Sequence, residues 1–238
     1  MIMNVRFPHY RPRAFAALDG CPRRSGFTMI ELLIAMAVGL VLLAAVYSVF
    51  LVQNKELRNQ EQITEMQQNA RMAMEMISRD LMMAGFGGYN ATAILPRCTG
   101  TTTATNAPCV GITAANANSI SFTMDVTDNV GTGGPDGDRD DANENITYDV
   151  YTSSGVPALG RKSSTSASKM PVVENVSALS FTYLPATGTT ATTNLADIRR
   201  IQISITTRTA NVDPGTGNYR YFTLTAIVTP RNLLLPGF

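Results

Sequence analysis

Apolar residues run almost without interruption from Phe27 to Val52, and the only charged side chain in this run is Glu31. A helix rises about 1.5 Å per residue, so roughly 20 such residues cross the hydrocarbon core of a bilayer. The pattern therefore predicts a membrane-spanning helix with one carboxylate near its start. Because an ionised carboxylate in hydrocarbon is costly unless it is paired, we expect Glu31 to have a partner.

The helical period continues beyond the apolar run. Between Gln53 and Ala84 the sequence contains neither proline nor glycine, and one apolar stripe recurs at steps of three and four residues. The stripe consists of Ile63, Met66, Ala70, Ala73, Ile77, Leu81 and Ala84. This spacing predicts a single helix from about Phe27 to Ala84, ended by the glycine-rich segment that starts at Gly85. Its second half, residues 53–84, is amphipathic and should pack on a domain core.

Short stretches of the remaining chain alternate apolar and polar residues, which is typical of strands with one packed face. The alternating stretches are 120–126, 146–150, 179–183, 201–205 and 222–228. Residues 213–218 (DPGTGN) predict a hairpin turn before the last strand. The predicted fold class is α+β: a long N-terminal helix, first apolar and then amphipathic, packed on an antiparallel β-sheet head formed by residues 85–238.

The charge of the chain is unevenly distributed. The net charge is +1, but residues 1–26 carry +4 and the remainder −3. A basic flank before an apolar span predicts that the N-terminus stays in the cytoplasm and the rest is exported. Neither part carries a basic patch large enough for nucleic acid. A cleavable secretory signal is the alternative for this N-terminus, but its apolar core is usually only about 7–15 residues long.

Few side chains suited to catalysis are available. The only histidine, His9, precedes the apolar run, so the exported part offers no imidazole to a catalytic triad or a metal site. We therefore expect neither an enzyme nor a cofactor. Cys98 and Cys109 bracket a short polar loop, where a disulfide would contribute about 2–4 kcal/mol. Two independent thiols are the alternative.

The acidic segment 134–145 contains Asp136, Asp138 and Asp140 at the alternating spacing of calcium ligands. An EF-hand needs glycine at the sixth position and a bidentate glutamate at the twelfth, where this chain has Asp141 and Thr147. The EF-hand interpretation therefore fails. A looser Ca²⁺ site at the three aspartates is a weak candidate, and a solvated acidic loop is the alternative.

The hexapeptide from Gly26 to Glu31, GFTMIE, lies between a basic leader and an apolar helix. It resembles the prepilin cleavage and methylation signature shared by type IV pilins and type II secretion pseudopilins. The resemblance implies that prepilin peptidase removes residues 1–26 and that Phe27 becomes N-methylated. It further implies that residues 27–52 span the membrane and later the filament core. There Glu31 would pair with the N-terminal amine of a neighbouring subunit.

Residues 68–88, 172–184 and 223–233 resemble the PilW family of minor pilins. This resemblance implies a structural subunit that helps initiate type IV pilus assembly, held in the inner membrane with its head in the periplasm. The implied partners are prepilin peptidase, other minor and major pilins, and the inner-membrane pilus assembly platform. The alternatives are a J-type minor pseudopilin of type II secretion and, in another class, a signal-anchored periplasmic binding domain.

Overall fold

The computed structural model describes residues 26–87, 111–126, 141–164 and 167–234. Its one long helix, α1, spans Met29–Met83. The strands that follow are β1 (Gly111–Ala115), β2 (Ser119–Thr123), β3 (Asn145–Ser153), β4 (Val156–Lys162), β5 (Met170–Glu174), β6 (Val176–Leu184), β7 (Arg200–Arg208) and β8 (Tyr221–Val228). Two short 3-10 turns lie at Leu195–Asp197 and Arg231–Leu233.

The chain divides after Gln53 into two units. In the first unit, the described residues 26–53 contain the start of α1, and their large apolar side chains are exposed. The second unit begins at Asn54 and contains the rest of α1 together with all the described strands. The predicted α+β class, with one long N-terminal helix and antiparallel strands, is confirmed.

The predicted apolar stripe forms the buried face of α1. All of its residues except the half-buried Ile63 are buried, and Met74 joins them. Ala73, Met74, Ile77 and Leu81 belong to one apolar core that also contains side chains of both sheets. Because burying one large aliphatic side chain contributes about 1.5–3 kcal/mol, this face is sufficient to anchor the helix to the sheets.

The C-terminal end of α1 is held by distant residues. Gly85 takes a positive φ of 79°, and its N–H donates to the carbonyl of Thr123 at 3.0 Å. The side-chain amide of Asn232 lies 3.4–3.5 Å from the carbonyl oxygens of residues 82–84. A Cβ at Gly85 would lie 2.9 Å from Leu233 Cδ2. Glycine is therefore required here both by the left-handed conformation and by the close approach of the C-terminal turn.

The strands form two antiparallel sheets rather than the single sheet that the sequence predicts. Strands β1 to β5 form one sheet and β6 to β8 the other, each in sequential order. The chain passes between the sheets at Asn175, which has a positive φ of 60°. Asparagine tolerates this left-handed conformation better than most residues, so one residue suffices to redirect the chain.

All five stretches predicted as strands contain a strand, although β2 ends at Thr123, so Met124 and Val126 lie beyond it. The predicted turn at 213–218 is also confirmed, since the N–H of Gly217 donates to the carbonyl of Asp213 at 2.8 Å. Three strands, β1, β4 and β5, escaped prediction. In β4 the buried residues are the consecutive 158–160, so the period of two is missing.

Candidate functional site: the start of the long helix

Gly26 and Phe27 lie just before α1 and are exposed to solvent. Nothing lies within 4 Å of the position that a Cβ would take at Gly26, and this glycine does not have the positive φ that favours glycine over other residues. Phe27 is 83 % exposed. The fold itself thus gives no reason for a glycine at position 26, in contrast to Gly85.

Thr28 and Glu31 form reciprocal hydrogen bonds in the first turn of the helix. The Glu31 N–H donates to Thr28 Oγ1 at 3.3 Å, while the Thr28 N–H and hydroxyl each donate to Glu31 Oε2 at 3.4 Å. This reciprocal arrangement is a capping box, which satisfies main-chain donors that a helix start leaves unpaired. This capping box was not predicted, although the Thr-x-x-Glu spacing before an apolar run is its signature.

The apolar part of α1 that follows has no packing partner among the described residues of its own unit. Its large side chains are about half or more exposed, from Met29 to Val52. An 18-residue window within α1 has a mean hydropathy of 2.7, and none of that window is buried. By length and composition, α1 is the one candidate membrane span among the described residues. Exposed apolar surface of this extent indicates a membrane or protein environment around the segment.

The other predicted site residues fall elsewhere. Cys98, Cys109, Asp136, Asp138 and Asp140 lie outside the described residues. Within the described ranges there is no group of three or more side chains that could hold a metal ion. The predicted disulfide and the weak Ca²⁺ candidate therefore stay predictions.

Glu144, near the end of the acidic segment, joins Val126 to Asp141. It is fully buried, and Oε1 accepts the Val126 N–H at 2.9 Å while Oε2 accepts the Asp141 N–H at 3.3 Å. Thr147 is at the twelfth position, where an EF-hand needs a glutamate. Its hydroxyl lies 2.8 Å from the hydroxyl of Ser121, at hydrogen-bond distance. The contacts of both side chains thus stabilise the larger sheet and the chain next to it.

A polar contact joins the second half of α1 to the larger sheet. One oxygen of Asp80, Oδ2, accepts hydrogen bonds from the Tyr148 hydroxyl at 2.6 Å and from Arg161 Nε at 2.8 Å. Burial raises the pKa of the Tyr148 hydroxyl well above its usual range, and the hydrogen bond to Asp80 is the second largest cause of this rise. These residues lie far apart in the sequence, so no motif indicated the contact, and its role is structural.

An open cleft lies between α1 and the loop that joins β7 to β8. Its volume is about 410 Å³, and Lys55, Arg58 and Asn211 contribute to its lining. Among the described residues that line the cleft there is no nucleophile–base pair.

Comparison with known proteins supports a prepilin-type N-terminus. Residues 21–47 match the family model described as the prokaryotic N-terminal methylation motif. A stretch of 68 residues is 37 % identical to the "Pilin-like protein PilA3" of Thermus thermophilus. This stretch covers 29 % of each protein, so the chain spans less than a third of that relative's length. No solved structure matches the chain.

These findings show similarity to type IV pilin-like proteins over part of the chain. The methylation motif and the exposed apolar helix that begins within it fit a membrane-anchored pilin. The matched region includes Gly26, Phe27 and Glu31, and the GFTMIE hexapeptide thus lies within the part of the chain that carries the family likeness.

Proposed function

We propose that this chain is a subunit of a type IV pilus and, within that class, a minor pilin of the PilW type that helps initiate pilus assembly. The match of residues 21–47 to the N-terminal methylation motif carries the proposal. Two features of the structure support it: the fold gives no reason for the glycine at position 26, and an exposed apolar helix begins three residues later. The proposed role is structural, without catalysis.

The proposed pathway begins in the inner membrane, with the basic leader in the cytoplasm and the domain of α1 and the two sheets in the periplasm. Prepilin peptidase cuts between Gly26 and Phe27, and the new amine of Phe27 is methylated. The processed chain then joins other minor and major pilins at the inner-membrane assembly platform. Until assembly, Glu31 can lie near the cytoplasmic interface, where a carboxylate is only modestly costly.

Glu31 is proposed to set the register between neighbouring helices in the filament. When the apolar helix leaves the membrane for the filament core, the carboxylate loses water and needs a cation. The methylated amine of a neighbouring Phe27 supplies it, since leaving either partner of a buried pair alone is strongly unfavourable. The hydrogen bonds that the Glu31 carboxylate accepts from described residues all go to Oε2. Its other oxygen, Oε1, is left for such a partner.

The proposal is tested on the full chain extracted from the membrane of the bacterium that makes it. We expect intact-mass and N-terminal peptide analysis to find a chain that begins at N-methylated Phe27. Gly26→Val should accumulate at full length, whereas the control Gly39→Ala, at a second open glycine within α1, should be processed normally. An unprocessed wild-type chain would instead indicate a signal-anchored domain and overturn the proposal.

A second variant tests assembly separately from processing. Glu31→Ala should be inserted and cleaved but should fail to enter or initiate pili, because the neighbouring amine then has no carboxylate. The control Glu56→Ala removes an exposed helical carboxylate outside the motif and should leave assembly unchanged. Normal piliation by Glu31→Ala, or purification of the chain with type II secretion components, contradicts the proposed role.

A further inference from the structure

Among the described residues, no strand pairs with the outer edge of β8. β8 is the last strand of the three-stranded sheet, and β7 lies on one side of it. In the described part of the chain, the main-chain groups of residues 221–228 that point away from β7 make no hydrogen bond. Such an edge can pair with another extended chain.

This edge also lacks the features that natural proteins use to prevent strand pairing. The sequence of β8, YFTLTAIV, contains no charged residue, no proline and no glycine. Its register with β7 runs from Tyr221 to Val228 without a bulge. Exposed edge strands are normally short, charged, bulged or interrupted by proline, because regular apolar edges pair with other strands.

The side chains of β8 are incompletely covered on both faces of the sheet. On the inner face Phe222, Leu224 and Ala226 are only half-buried, whereas the isoleucines of the neighbouring β7 at 201, 203 and 205 are fully buried. On the outer face Tyr221 is 60 % and Ile227 55 % exposed. One additional strand would bury apolar surface on both faces and satisfy the main-chain groups between them.

We propose that the edge of β8 binds an extended segment of another pilin subunit, which adds to the sheet as a fourth strand. This inference rests on the proposed function as a pilus subunit. The main chain of β8 selects an extended partner, because only a strand presents donors and acceptors at the matching repeat. The partner segment should be uncharged and should alternate apolar with polar residues, since β8 offers no charge and its inner face is apolar.

A different subunit fits this edge better than a second copy of the same chain. Two β8 strands paired with each other would form a closed two-fold contact, in which each edge blocks the other. A segment of another subunit instead joins two different chains side by side, as the start of a filament requires. Pairing between two copies is therefore an outcome that the experiment must distinguish.

The test compares hydrogen–deuterium exchange of the full chain in detergent and in isolated pili. We expect the β8 amides that point away from β7 to exchange rapidly in detergent and to become protected in pili, while β7 amides are protected in both. Equal exchange of β8 in the two states, with the processed chain present in pili, overturns this inference and leaves the proposed function intact. Absence of the chain from pili overturns both.

A pair of matched double variants tests the same edge in cells. Thr225→Lys with Ile227→Lys places two cations on the exposed face of β8 and should abolish entry of the processed chain into pili. Ser180→Lys with Thr182→Lys makes the same change on the exposed face of β6 and should leave entry unchanged. Equal melting temperatures establish that both fold. If a photo-crosslinker at Tyr221 links two copies of this chain, the proposed partner is wrong; a link to another pilin supports it.

Discussion

At the scale of single residues, Asp80 joins the long helix to two strands of the larger sheet. Its Oδ2 atom is the common acceptor for a tyrosine of β3 and an arginine of β4, so three elements meet at one oxygen. The side chains of Asp80 and Arg161 are only about one-fifth exposed, at 21 % and 20 %. Loss of the carboxylate would therefore leave two poorly solvated donors without an acceptor.

We expect Asp80→Ala to lower the free energy of unfolding by about 2–4 kcal/mol, because it removes one member of a largely buried ion pair. Tyr148→Phe should lower the free energy of unfolding by about 1.5–3 kcal/mol, since it removes one hydrogen bond to a charged acceptor. Urea unfolding of the full chain in detergent measures both changes.

Glu75→Ala is the matched control for Asp80→Ala. Glu75 lies on the same helix and pairs with Arg79 at 2.7 Å, but both side chains are more than two-thirds exposed. Exposed pairs of this kind contribute less than about 1 kcal/mol. A loss for Asp80→Ala no larger than that of the control would mean that the Asp80 contact is solvated in solution.

The residues of the candidate site and those of the Asp80 contact differ in how far the sequence could predict them. Gly26, Phe27 and Glu31 were predictable because their motif is local. Asp80 and Arg161 were not, since 81 positions separate them and their meeting depends on how the helix packs on the sheet. Thr28 is intermediate in predictability. Its spacing to Glu31 is visible in the sequence, but this spacing identifies a capping box only when the first residue of the helix is known.

At the scale of elements, the first turn of α1 depends on its cap. In the apolar first half of the helix, Thr28 and Glu31 supply the reciprocal side-chain contacts of the first turn. A threonine cap is worth about 1 kcal/mol relative to alanine, and serine caps as well as threonine does.

Thr28→Ala should therefore loosen the first turn without removing the carboxylate. We expect the Glu31 amide to exchange with deuterium about fivefold faster in Thr28→Ala than in the wild type, as follows from a loss of about 1 kcal/mol. NMR-detected exchange of the full chain in micelles measures the rate. Thr28→Ser keeps the hydroxyl and should retain the wild-type rate; equal acceleration in both variants contradicts the capping role.

Elements with a strong period were predictable from sequence, and irregular ones were not. The stripe on α1 and the alternation in β3, β6, β7 and β8 follow directly from one-sided burial. In β5 only Val173 is buried, and the strand contains Pro171, so neither alternation nor composition marks it. The division into two sheets depends on the conformation of Asn175, which no local pattern indicates.

At the scale of the whole molecule, two buried tyrosines make stability depend on alkaline pH. The Tyr183 hydroxyl donates to the carbonyls of Asn116 and Ser119, and its burial raises its pKa well above the usual range, as burial does for Tyr148. Their contribution is fully present below the unfolded pKa of about 10 and is lost as pH rises toward the folded pKa.

Above about pH 10, each buried tyrosine should lower the free energy of unfolding by up to about 1.4 kcal/mol per pH unit, because only the unfolded chain releases that proton. Tyr183→Phe should reduce this slope when urea unfolding is repeated between about pH 9 and about pH 11. Tyr221→Phe, at an exposed residue, is the control and should keep the wild-type slope. An unchanged slope in Tyr183→Phe would contradict the buried position of its hydroxyl.

The contact between Asn232 and the end of α1 sets an order of events during synthesis. The amide that holds the carbonyls of residues 82–84 lies 148–150 positions further along the chain. A ribosome adds about 5–20 residues per second, so the helix is made roughly 7–30 s before the residues that secure its end. Throughout that interval the apolar face of α1 has no finished core to cover it, and a nascent chain stalled before position 232 would remain open to proteolysis.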